Sequence, residues 1–81
     1  MQTHFSKMLK TEAGTFNFYF NFLNGIEGKR CHISTIDNFR KSVMFFMVKD
    51  GDRWRLENRN HPTWILNLEE MLENILIEQG T

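Results

Sequence analysis

With 81 residues, 41% hydrophobic and 14% aromatic, the chain carries enough apolar mass for one small folded domain and too much for a disordered segment. Such a domain buries only about 60–65% of the surface its unfolded chain exposes, and the one cysteine, Cys31, excludes an internal disulfide as a staple. The formal net charge of zero hides a split, because residues 1–61 hold all ten Lys and Arg against six acids whereas residues 62–81 hold four Glu and no base.

No apolar run approaches the roughly 18 residues a membrane span requires, and the first residues lack the apolar stretch of a signal peptide, so the expected location is the cytoplasm. In residues 1–14, Phe5, Met8 and Leu9 stand at i, i+3 and i+4. That spacing fits one or two helical turns, and the segment is equally readable as a frayed arm or an additional edge strand. Ala13-Gly14 separates it from the first clear strand.

Residues 15–23 place Phe16, Phe18, Phe20 and Phe22 at strict period two, with Asn17, Tyr19 and Asn21 between them. A helix would scatter the four rings around its circumference, so this is a strand with one core face and one face for water or a partner. Asn24-Gly25 then signals a hairpin, and a second strand runs from about Lys29 to Ile36. An even-membered loop puts Cys31 and Ile33 on the Phe face, and Arg30, His32 and Ser34 with Tyr19 on the other.

Val43-Met44-Phe45-Phe46-Met47-Val48 is apolar at both parities, the mark of a strand covered on both faces. Asp50-Gly51 closes the next hairpin, setting Met47 opposite Trp54, Phe45 opposite Leu56, Val48 opposite Arg53 and Phe46 opposite Arg55. Strand four, to about Asn58, alternates as an edge strand. Pro62 suits the first turn of a helix capped by Asn60 or His61 and ending near Gln79, before Gly80. On that helix Trp64, Ile65, Leu68, Met71, Leu72, Ile75 and Leu76 form an apolar stripe, while Leu66 and Ile77 project with Glu70 and Glu73 on the far side.

These elements predict an α+β domain spanning residues 1–81: a four-stranded antiparallel β-meander over 15–58 and a long C-terminal α-helix over 62–79 packed on the Phe face, with residues 1–14 as an arm or short helix. That order resembles the double-stranded-RNA-binding domain in element order alone. Where that family carries a lysine cluster, this chain reads His61-Pro62-Thr63-Trp64-Ile65, so the likeness carries no function.

Chemistry is sparse. Cys31 and His32 are neighbours on a strand and point to opposite faces, which prevents a thiolate–imidazole pair. His4, His32 and His61 lack metal-ligand spacing, Asp50-Gly51-Asp52 lacks the further ligands of a calcium loop, and Glu69, Glu70, Glu73 and Glu78 read as a solvated helix face. The expectation is a protein without catalytic, metal or cofactor residues.

The remaining feature is the second sheet face, with Tyr19, Arg30, His32, Met44, Phe46, Val48, Arg53 and Arg55, to which Leu66 and Ile77 on the helix add a secondary contact. An apolar band rimmed by Arg and Tyr suits a protein interface, and the leading expectation is a homodimeric interaction module, or one that binds another protein. Stacking of bases on the same aromatics makes a nucleic-acid-binding module the alternative. A small-molecule pocket between helix and sheet, lined by Trp54 and Trp64, is the third reading.

Overall fold

The structure, a computed structural model, describes residues 3–25 and 28–80. Strands β1 (His4–Thr11), β2 (Gly14–Gly25), β3 (Gly28–Ile36), β4 (Ser42–Asp50) and β5 (Arg53–Leu56) precede two helices, α1 (Thr63–Leu66) and α2 (Glu69–Gly80). The strands lie side by side in chain order, each antiparallel to the next. The fold is therefore α+β, as the alternation and the helical stripe predict, with five strands where four were expected.

The added strand is the N-terminal segment. Residues 4–11 are neither a helix nor an arm: they pair with β2 from His4 opposite Asn21 to Thr11 opposite Gly14. Phe5 and Leu9 share a face at period two as readily as they share a helical stripe, and the nearby Phe row decides between the two. Phe5 stacks on Phe20 with ring centroids 4.6 Å apart and planes 3° from parallel. Leu9 is buried.

The hairpins keep the predicted faces but shift their turns. Asn24 and Gly25 are not the turn but belong to β2 and pair with Lys29 and Gly28; residues 26–27 lie outside the described residues. At the β4–β5 hairpin Asp50 pairs with Arg53, so the two-residue turn is Gly51-Asp52, with Gly51 at φ 65°. Every pair consequently slips by two: Met47 faces Leu56, Lys49 faces Trp54 and Val48 faces Arg55. A slip of two leaves each side chain on its face. β4 is covered on one face, not on both, since Phe45 and Met47 are buried, Phe46 and Val48 are half-buried and Met44 is 60% exposed.

The core lies between the helices and the face bearing Phe16, Phe18, Phe20, Cys31, Ile33, Phe45, Met47, Trp54 and Leu56, all buried. The predicted single helix is broken at Asn67-Leu68, and Pro62 occupies the N-cap position without a side-chain cap from Asn60 or His61. Its carbonyl accepts from the N–H groups of Ile65 and Leu66, which starts the first turn. Ile65, Leu68, Leu72, Ile75 and Leu76 are buried as the stripe requires, while Met71 is exposed. Leu66 does not project outward: it lies in α1, ahead of the break at residues 67–68, and packs against the core.

Candidate interaction surface

The sheet face turned away from the helices collects most of the residues singled out from the sequence. Cross-strand register aligns Ser6, Tyr19, Ser34 and Met44 in one row and His4, Asn21, His32 and Phe46 in the next, with Arg30 opposite Val48 beyond them. Tyr19 is 52% exposed and Met44 60%, so the centre of the face presents apolar and aromatic surface to solvent. β1 widens it instead of covering it, adding Met8 at 63% exposure, and Ile36 adds further apolar area. Met8 was not foreseen, since it acquires a face only once residues 4–11 are known to be a strand.

The arginines of this face are already engaged. Arg30 reaches both carboxylate oxygens of Glu57 at 2.9 and 3.0 Å, and its guanidinium carbon lies 4.3 Å from the centroid of Phe46. His32 packs against the same ring, with centroids 5.0 Å apart. Phe46 is thus half-buried by its own neighbours rather than by a helix. Arg55 pairs with Asp50 at 3.3 Å. Arg53 leaves the face, donating from Nε to Glu73 of α2 at 2.8 Å.

Glu73 departs most from the sequence reading, being 6% exposed rather than part of a solvated face. Its Oε2 accepts from the backbone N–H of Trp54 at 2.9 Å as well as from Arg53, and one turn earlier Glu69 Oε2 accepts from the N–H of Leu56 at 2.8 Å. Glu69 also meets Arg59 at 3.0 Å. β5 is the last strand of the sheet, so these N–H groups have no neighbouring strand to bond. The hydrogen bond from Arg53 and that from Trp54 N–H hold the Glu73 carboxyl below the usual range, against the effect of burial. At Glu69 burial pushes upward, but the Leu56 N–H and Arg59 outweigh it and the net shift is downward.

These carboxylates are structural acceptors with every described partner a donor, and none is poised to exchange a proton near neutrality. Burial pushes the Cys31 thiol up to about 12, so it does not present a thiolate. No cluster of three or more potential metal ligands occurs among the described residues. Trp54 packs against Phe22 and Trp64 against Phe16, rings six residues apart on β2. Ile77 borders an open polar groove between β5 and α2, together with Arg53, Glu70 and Asn74. Leu66 and Ile77 accordingly do not join the outer sheet face as a continuous patch.

No helix among the described residues is long and apolar enough to cross a membrane. Comparison of the chain with protein-family models, with curated proteins and with solved structures found no match.

Proposed function

We propose that this protein is a non-catalytic, cytoplasmic interaction module that pairs with a second copy of itself through the outer sheet face. The observation that carries the reading is the exposed band of Met8, Tyr19, Ile36 and Met44 beside half-buried Phe46 and Val48, on a face that no helix covers. Tyr, Met and Phe are the side chains enriched at protein interfaces, and monomers seldom leave such a band in water. Covering several hundred Å² per subunit at about 25 cal/mol per Å² gives a driving force large enough to offset the entropy of association in a modest dimer. The rim of Arg30–Glu57 and Arg55–Asp50 pairs adds polar contacts around it.

A nucleic-acid-binding role ranks second because Arg30, Arg53 and Arg55 each contact a carboxylate. Phosphate binding would have to displace those partners. Light scattering at tens of micromolar decides between the readings: the dimer reading expects about twice the 9.7 kDa chain mass and a return to monomer in Met44→Glu. A clean monomer at that concentration sinks it. Salt-sensitive association with single-stranded DNA or RNA, lost in Arg55→Ala, would put nucleic acid first.

A further inference from the structure

We propose that the free edge of β1 takes up an extended segment of another protein as a sixth, antiparallel strand, and that this segment presents an acidic residue flanked at i−2 and i+2 by apolar ones. This site is separate from the outer face and does not depend on the dimer.

The hydrogen-bond phase of the sheet identifies the available groups. Phe22 N–H donates to the Thr3 carbonyl at 2.7 Å, and Thr3 stands one residue before the pair His4–Asn21. Bonded pairs alternate along an antiparallel ladder, so Phe5, Lys7 and Leu9 spend their backbone groups on β2. His4, Ser6, Met8 and Lys10 turn theirs outward, and no strand among the described residues lies on that side of β1.

A strand bonded to those four residues meets Phe5, Lys7 and Leu9 in non-hydrogen-bonded pairs, where facing side chains come closest. Phe5 is half-buried at the margin of the core and Leu9 is buried, whereas Lys7 stands exposed between them. No ion pair among the described residues includes Lys7 or Lys10, and residues 4–11 contain no acid. Apolar side chains opposite Phe5 and Leu9 would extend the core, and a carboxylate opposite Lys7 would neutralise its charge. A second copy of β1 serves worse, because the symmetric registers set Lys7 against Lys7, Leu9 or Phe5 and never against a carboxylate.

The probe is a fluorescein-labelled peptide of sequence T-V-T-E-T-V-T, followed by fluorescence anisotropy with the full chain. Saturable binding is expected, weakened about tenfold when the central glutamate becomes lysine, with the preference reversed by Lys7→Glu. Methylating the backbone nitrogens of the third and fifth residues should abolish it. So should Met8→Pro, which removes an outward N–H that the fold does not use and is tolerated at an edge; unchanged circular dichroism verifies that the variant folds. Met44→Glu should leave peptide binding intact, which separates this site from the dimer face. No binding, equal binding of both peptides, or normal binding by folded Met8→Pro would overturn the proposal and leave Lys7 as a charge that keeps the edge from aggregating. A doubled mass that Met8→Pro abolishes and Met44→Glu leaves intact would assign the edge to a second copy and overturn it equally.

Discussion

β5 is four residues long, and the N–H groups it turns away from the sheet, those of Trp54 and Leu56, end on the carboxylates of Glu73 and Glu69. β1 is eight residues long, and its outward groups at His4, Ser6, Met8 and Lys10 face no strand among the described residues. The two edges show that an exposed ladder can be neutralised by supplying acceptors or tolerated by placing charge on it. In the first case the edge becomes part of the tertiary structure and is lost to partners. In the second it stays available, and lysine only raises the threshold for pairing.

The sharpest way to break the comparison is to loosen the open edge from beneath. Phe20 anchors Phe5 and lies in the core, so Phe20→Ala should cost about 3–5 kcal/mol in urea denaturation, while Asn21→Ala on the opposite face should cost less than about 1. Equal losses would mean that the faces are misassigned. Next in size is the sealed edge. Glu73→Ala leaves the buried N–H of Trp54 without its acceptor, and about 1–3 kcal/mol of stability should go with it. Glu73→Gln keeps an acceptor and should recover part of the loss, and hydrogen exchange at Trp54 should quicken in the alanine variant alone.

Acid tests the same clamp. Both Glu69 and Glu73 are held below the ordinary carboxylate value, so their ionised forms favour the fold. That contribution is complete above the unfolded pKa of about 4.3 and is lost as pH falls through the lower folded values. Stability followed from about pH 6 down to pH 3 should therefore drop less steeply in Glu73→Gln than in the parent. The smallest effect belongs to the lysine edge: Lys7→Thr should change stability by no more than about 0.5 kcal/mol, since Lys7 is exposed and enters no ion pair among the described residues. A larger loss would show that β1 is held by a contact its exposed position does not suggest.

Much of this architecture is written in local patterns. The period-two Phe row determines β2 and the core face, and Tyr19, Arg30, His32, Met44, Phe46 and Val48 come together on the outer face as that alternation requires. What stayed hidden depends on pairing between distant segments. Lys7 interrupts the apolar alternation of β1, so Phe5, Met8 and Leu9 look helical until β2 is placed beside them. Arg53 has outer-face parity, yet it turns to Glu73 because an edge strand lets a long side chain reach round it. The role of Glu73 is invisible for a deeper reason: a carboxylate spaced for solvent is also spaced for a strand edge. Only the hydrogen-bond phase of β5 distinguishes the two.

The clamp on β5 works as a vernier between two different rulers. Four residues of helix advance about 6.0 Å and two residues of strand about 6.6 Å, so carboxylates at i and i+4 can meet alternate strand N–H groups, with a mismatch that grows at each step. Glu69 and Glu73 use two marks of that scale, at Leu56 and Trp54. The third mark would set position 77 against position 52, where the chain has already entered the Gly51-Asp52 turn, and the helix carries Ile77 there instead of a carboxylate. The length of strand that a straight helix can seal in this manner is thus set by geometry, and β5 ends within it.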